Sequence, residues 1–208
     1  MAERWLITKF KAMTSDAIHH HLFDTAIGSC GIAWSTHGLV AVQLPESDEA
    51  TTEKRLVKKA RSAGAAEPPA AMLALAADIR KYFAGERMDF SKVPVDLEGV
   101  DDYRRTLYEA MRAIGYGVTT TYGELAKSLG ATDWEGARNV GEAMGKNPVP
   151  VVIPCHRVLA AGKKIGGFSA YGGAKTKEKL LALEGVRFES PAPKSLVPKP
   201  VAPRLPGL

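Results

Sequence analysis

Apolar and polar positions follow two different rhythms in the two halves of the chain. Phe23–Leu44 carries the short apolar runs Cys30-Gly-Ile-Ala-Trp34 and Leu39-Val-Ala-Val-Gln-Leu44, with turn signals at Gly28-Ser29 and His37-Gly38. This reads as neighbouring strands. A helical period follows, first around Thr52–Ala63 and then over Pro69–Ala84. In the second helix Met72, Leu75, Ala76, Ile79 and Phe83 share one face, and Gly85 provides the stop. Val93-Pro-Val-Asp-Leu97 reads as extended chain leading into a linker.

From about Val100 the pattern is mainly helical. Tyr103, Leu107, Ala110, Met111 and Ile114 form one face. Two capping boxes, Thr121-Tyr-Gly-Glu124 and Thr132-Asp-Trp-Glu135, each open a helix, with Gly130 between them. Two short helices around such a turn predict a helix-turn-helix, although a plain helical hairpin has the same pattern. On the second helix Ala137, Val140, Gly141 and Met144 share a face, and Arg138 lies about 100° away. Its small residues make it slim enough to approach a nucleic-acid backbone; a solvated surface arginine is the plainer reading of Arg138. A last helix is predicted over Lys175–Glu184, anchored by Leu180, Leu181 and Leu183 and stopped by Gly185. Ser190–Leu208 holds six prolines and reads as a disordered or polyproline-like tail.

Composition adds bounds. The 208 residues, 45% hydrophobic and 25% charged, suit one or two globular domains. No run has the ~18 apolar residues of a membrane span, and Met1–Met13 lacks the apolar core of a secretory signal. Two cysteines, Cys30 and Cys155, are too few for a disulfide framework and fit a reducing cytoplasm. A net charge of +5 is only weak support for an anionic partner. His19-His20-His21 raises the question of metal, but consecutive residues on a regular element cannot converge on one ion, and no second ligand cluster has zinc spacing.

The chemistry concentrates in Asn147–Val158, which reads Asn-Pro-Val-Pro-Val-Val-Ile-Pro-Cys-His-Arg-Val. Pro148, Pro150 and Pro154 exclude an α-helix and predict an extended apolar rod that delivers Cys155. An imidazole beside a thiol can take its proton and free the nucleophile. Neighbours on a strand point to opposite faces, so Cys155 and His156 cooperate only if the backbone turns after Pro154, or through a water. A buried cysteine beside a satisfied core histidine is the other reading of the pair alone.

Pro154-Cys155-His156-Arg157-Val158, preceded by Asn147-Pro148-Val149-Pro150, resembles the signature of the O6-alkylguanine-DNA alkyltransferases. The resemblance runs from about Tyr103 to Gly185. It implies an α/β (α+β) chain with an RNase H-like α/β domain over 1–98, a winged helix-turn-helix domain with Cys155 over 99–188, and a tail over 189–208. It further implies direct repair: an alkyl group passes irreversibly from O6 of guanine, or O4 of thymine, in double-stranded DNA to Cys155, which is consumed. His156 would be the base and Glu184 its orienting partner. Tyr122 would donate a hydrogen bond to the purine, and Asn147 would hold the turn. Arg138 would fill the gap left by the flipped base, with Thr121, Ala137, Gly141 and Arg157 also on DNA. Tyr122, Met144, Val158, Phe168 and Ser169 would line the base pocket.

No metal or cofactor is expected, and the protein would act as a cytoplasmic monomer without membrane contact. Two features depart from the family pattern. Ile114-Gly-Tyr-Gly117 stands where Ile-Pro-x-Gly is common, and the loop Gly166–Gly173 is about two residues longer. The rival readings are a non-catalytic damage sensor, a Cys-His hydrolase and a winged-helix regulator.

Overall fold

The structure, a computed structural model, describes residues 17–131 and 133–187. The expected tail and the basic N-terminus lie outside them. Three antiparallel strands, β1 (His19–Thr25), β2 (Gly28–Ser35) and β3 (Gly38–Gln43), form a meander, and the short β4 (Gly64–Ala65) joins β1 in parallel. The pleat sorts side chains by parity. Cys30, Ile32 and Trp34 face one layer, where α2 (Ala70–Phe83) buries Met72, Leu75, Ala76, Ile79 and Phe83. Gly31 and Ala33 face the other, where α1 (Glu49–Ala60) packs Leu56 and Ala60. Asp48 caps α1 through Thr51 N–H, so that helix starts three residues earlier than its apolar pattern indicates.

The histidine run is strand, which the sequence reading began only at Phe23. His20 points inward, bonded to Ser62 and Glu53. Among the described residues no group of three or more His, Cys, Asp or Glu could hold a metal ion. The extended Val93–Leu97 is more than a linker, since Leu39 and Val95 form a parallel bridge at the β3 edge.

The second half begins with α3 (Asp102–Arg112), capped by Asp101. Its buried face is Leu107, Tyr108 and Met111; Tyr103, expected on that face, is 45% exposed. Tyr108 replaces it, its hydroxyl donating to Ala143 O. The helix-turn-helix forms from α4 (Tyr122–Ser128) and α5 (Trp134–Gly145). The Thr121–Glu124 box is present in full. The second box is replaced by a simple cap: Asp133 accepts from Gly136 N–H, and Thr132 lies outside the described residues. Strands β5 (Thr120–Thr121) and β6 (Val158–Leu159) pair in parallel beneath α4, and α6 (Ala174–Leu183) closes the domain with Leu180 and Leu181 buried. No helix among the described residues is long and apolar enough to cross a membrane.

The proline-rich stretch is not a rod. Val151 takes φ 76, an unusual value for a β-branched residue, and the chain folds back so that Ile153 N–H reaches Val149 O at 2.8 Å. Asn147 clamps this turn from both sides: its Nδ2 donates to Ile153 O at 2.8 Å and its Oδ1 accepts from Val149 N–H at 3.0 Å. The N-terminal sheet supports it as well, with Val42 N–H donating to Pro148 O at 3.0 Å.

The α4–α5 packing is tight at one glycine and loose at another. A Cβ on Gly136 would lie 2.5 Å from Ala131 Cβ, whereas one on Gly141 would meet nothing nearer than the Tyr122 ring at 3.8 Å. Gly136→Ala is therefore expected to destabilise by about 1–3 kcal/mol. Gly141→Ala, relieved of glycine's entropy in mid-helix, should be neutral or stabilising by about 0.5–1 kcal/mol. Urea unfolding of both variants checks this, and the same sign for both would contradict the packing described.

Candidate active site

The backbone does turn after Pro154. With φ −81 and ψ 65, Pro154 closes an inverse γ-turn in which Cys155 N–H donates to Ile153 O at 2.8 Å. A 3-10 turn, Cys155–Arg157, follows at once, and it sends Cys155 and His156 in directions a strand would not allow.

His156 is fully buried, and its Nε2 lies 2.8 Å from Glu184 Oε1. A carboxylate only accepts, so Nε2 carries the proton and Nδ1 keeps the free lone pair. Nδ1 is buried with no protein partner. Glu184 caps the end of α6 and is the hub of the cluster. Arg157 holds it with two bonds of 2.9 Å, Tyr82 O–H donates at 2.9 Å, and Gly117 N–H donates at 3.0 Å. Burial alone would push the carboxyl up, but the bonds from His156, Arg157 and Gly117 outweigh it and hold it at about 2. Burial pulls His156 down, with Glu184 opposing, so the imidazole is neutral.

The structure engages Arg157, expected on DNA, inside the protein. It is buried and spent on Glu184 and Ile114 O. The Ile114–Gly117 segment, which departs from the family pattern at Gly115, belongs to this same cradle through Ile114 O and Gly117 N–H. Gly117 sits at φ 72, where a Cβ would be strained and would also strike Glu184 O at 2.9 Å.

Cys155 is 3% exposed and forms the floor of a cavity of about 270 Å³, lined also by Tyr122, Gly141, Met144, Phe168 and Ser169. Four of the five expected pocket residues are thus together. Val158 is the exception: it is fully buried in β6, paired with Thr120, its N–H donating to Cys155 O and its carbonyl accepting from Lys177. Tyr122 passes close to two glycines, Gly141 and Gly166; a Cβ on Gly166 would lie 3.4 Å from the ring. Burial raises the Tyr122 hydroxyl, so it remains a donor at neutral pH. Arg138 is exposed, Ala137 and Gly141 are half-buried on the same helix, and the Thr121 hydroxyl is engaged by Glu124.

Burial raises the Cys155 thiol; the Asn147 side chain, Lys177 and Lys59 pull the other way. Lys177 was missed by sequence reading. It is fully buried, with Nζ 2.6 Å from Val158 O and 3.3 Å from Gly167 O, and 5.6 Å from the Tyr122 ring centre. Burial lowers it to about 8, and the neighbouring sulfur opposes. Its place in α6 between Thr176 and Glu178 gave no hint of an inward lysine. Tyr82 was missed too, although a tyrosine next to an apolar helical stripe, with a hydroxyl to satisfy, was a signal.

The depressed carboxyl ties stability to pH. Glu184 is ordinarily near 4.5 and here about 2, so its contribution is full above about pH 4.5 and lost as pH falls towards 2. His156, held below its ordinary 6.5, adds a loss in the same direction below that pH. Glu184→Gln strands a buried guanidinium and should cost about 3–5 kcal/mol at pH 7. Its melting temperature should then fall less than wild type's between pH 4.5 and 2.5. Parallel curves would mean that another group carries the acid transition.

Comparison with known proteins agrees with this geometry. The family model described as 6-O-methylguanine DNA methyltransferase, ribonuclease-like domain, matches residues 18–97, and that family's DNA binding domain matches residues 102–186. A methylated-DNA–protein-cysteine methyltransferase of Mycobacterium bovis is 35% identical over 170 residues, covering 82% of this chain and 94% of that one. One from Methanothermobacter thermautotrophicus is 34% identical over 159 residues, covering 76% and 81%. The crystal structure of Mycobacterium tuberculosis OGT in complex with DNA superposes with a TM-score of 0.64 at 34% identity, covering 80% of this chain and 92% of that one. The chain belongs to the 6-O-methylguanine DNA methyltransferase family.

Proposed function

We propose that the chain repairs DNA by moving an alkyl group from O6 of guanine onto Cys155, once per molecule. The observation that carries this reading is a buried thiol at the floor of a base-sized pocket, followed in sequence by a neutral histidine anchored to a buried carboxylate. Relatives that are methylated-DNA–protein-cysteine methyltransferases, and a similar structure solved with DNA, support it. The division at residue 98, with a separate segment from 189, belongs to the same reading. Family matches that end at 97 and begin at 102 support the first boundary. Its place of action is DNA in the cytoplasm.

A base inside a duplex cannot reach Cys155, so the nucleotide must leave the stack, at about a few kcal/mol. Arg138, exposed on the slim face of α5, is suited to fill the gap, since a guanidinium stacks on bases. The purine then occupies the cavity between Tyr122, Met144, Phe168 and Ser169. The thiol proton passes to His156 Nδ1, through a water because the thiol makes no direct bond to the ring. Glu184, already ionised, stabilises the imidazolium without taking the proton. Asn147, Lys177 and Lys59 favour the thiolate.

The sulfur attacks the alkyl carbon. The S–C bond forms as the C–O6 bond breaks, and the bonding pair leaves on O6 and spreads into the purine. Tyr122 O–H offers a hydrogen bond to that developing charge, as do the Ser169 hydroxyl or the amides beside it. The released guanine gains one proton, matching the one lost by the thiol. The thioether product resists hydrolysis, so no second turnover follows.

The single most informative experiment is peptide mapping after reaction with a duplex bearing one O6-methylguanine. One methyl per chain is expected on Cys155 and none on Cys30, which is fully buried and which burial pushes up to about 12. A methyl on Cys30, or repeated turnover, would refute the assignment. Cys155→Ala should lose transfer yet keep DNA affinity.

Arg138→Ala should slow transfer on duplex DNA by about tenfold or more, equivalent to about 1.4 kcal/mol. It should slow transfer from the free base far less, because only the duplex requires extrusion. Equal slowing on both substrates would assign Arg138 another role.

A further inference from the structure

Glu184 Oε1 is asked to accept three hydrogen bonds. His156 Nε2 donates at 2.8 Å, Tyr82 O–H at 2.9 Å and Arg157 Nη2 at 2.9 Å. The other oxygen, Oε2, receives two, from Arg157 Nε at 2.9 Å and Gly117 N–H at 3.0 Å. A carboxylate has about four lone-pair sites, shared equally by its oxygens. Oε2 is therefore filled, and Oε1 has one donor too many. Arg157 is held in place by its second bond, to Oε2. The competition on Oε1 thus lies between His156 and Tyr82.

Tyr82 reaches this oxygen from α2 of the N-terminal half. It is fully buried, its ring set edge-on to Phe83, Phe90 and Tyr116. Burial and the Glu184 charge push its hydroxyl up, so it keeps its proton and stays a donor. That one proton goes to Glu184, so towards His156 Nε2, 3.3 Å away, the tyrosine oxygen can only accept. The contact is longer than an ordinary N–H···O bond, whereas the carboxylate is charged and lies at 2.8 Å. What Tyr82 does to the carboxylate therefore outweighs what it does to the ring directly. The charged groups that also act on His156 are Glu184 at the end of α6, which favours the imidazolium, and Arg157 in its own turn and Lys177 on α6, which oppose it.

We propose that Tyr82 is a positioning residue for the alkyl transfer, one that weakens His156 as a base by taking a share of the oxygen that anchors it. The proposal rests on the reading of His156 as the base, given above. When Nδ1 takes a proton, Nε2–H pulls harder on Oε1, and the bond from Tyr82 must yield. The hydroxyl thereby opposes the imidazolium. An N-terminal residue that touches neither the sulfur nor the base pocket thus sets the pH at which His156 is free to act.

The test follows single-turnover transfer from an O6-methylguanine duplex as a function of pH. The full chain is compared with Tyr82→Phe and with a chain carrying 3-fluorotyrosine at position 82 alone. Phenylalanine keeps the ring and removes the hydroxyl. Fluorine makes the phenol a stronger donor. Once the imidazole is charged it cannot accept a proton, so the rate falls on the acid side. Tyr82→Phe should move that fall to higher pH by about half a unit, and fluorotyrosine should move it to lower pH. A residue that only packs would not give opposite displacements. A fall that is absent or unmoved in both, or that moves the same way in both, overturns the proposal. If the phenylalanine variant does not fold, the fluorotyrosine chain decides alone. The His156 Nε2–H proton, read by NMR without DNA, gives a second measurement. It should move downfield in Tyr82→Phe as the bond to Glu184 shortens, and an unmoved resonance overturns the sharing of Oε1. No transfer from the unsubstituted chain would instead overturn the reading of His156 as the base, on which the resonance does not depend.

Discussion

The buried carboxylate of Glu184 is the constraint that orders the active half of the molecule. Four groups from three places in the chain converge on it: Tyr82 from α2, Gly117 N–H from the loop after α3, and His156 and Arg157 from the 3-10 turn. Leaving such a charge unpaired would cost several kcal/mol, so the fold is obliged to bring all four together. One consequence is chemical. Burial, with the Arg157 guanidinium adding to it, lets the imidazole stay neutral and ready to accept a proton despite the carboxylate beside it. The other is positional. Pinning His156 and Arg157 fixes the turn whose first residue is the nucleophile.

The same economy explains how a thiol can be both buried and reactive. Burial opposes ionisation of Cys155, and no direct partner takes its proton. The offsetting groups come from different layers: Asn147 at the end of α5, Lys177 on α6, and Lys59 from the other domain. The N-terminal half shows no chemistry of its own in sequence, yet it supplies Tyr82 to the carboxylate and Lys59 to the surroundings of the sulfur.

Much of this was legible in the sequence wherever it was local. Helical faces such as Met72–Phe83, the Thr121–Glu124 box and the glycine stops follow from short-range periodicity and capping. The resemblance carried by Pro154–Val158 pointed to the nucleophile. Contacts across long separations were not legible. Tyr82 and Glu184 lie 102 positions apart, and nothing near either one reveals the bond. Arg157 was placed on DNA by the resemblance alone, and its bonds to Glu184, 27 positions away, were not legible from the residues around it. Val158 came from the resemblance alone, and its pairing with Thr120 in β6, which keeps it out of the cavity lining, is a contact between distant segments. The proline pattern correctly excluded an α-helix, but it could not show that Asn147 would close a turn around Val149 and Ile153.

That turn has a wall on its far side. Val42 at the sheet edge donates to Pro148 O, and Asn147 closes the loop from within. The two halves of the gene therefore cannot drift apart freely. A substitution that shifts β3 moves the floor under the reactive residue, and a recombinant joining this C-terminal half to a foreign N-terminal half inherits a mismatched support. This backbone bond between the halves asks nothing of side-chain identity. It would persist through long divergence while the residues around it are replaced.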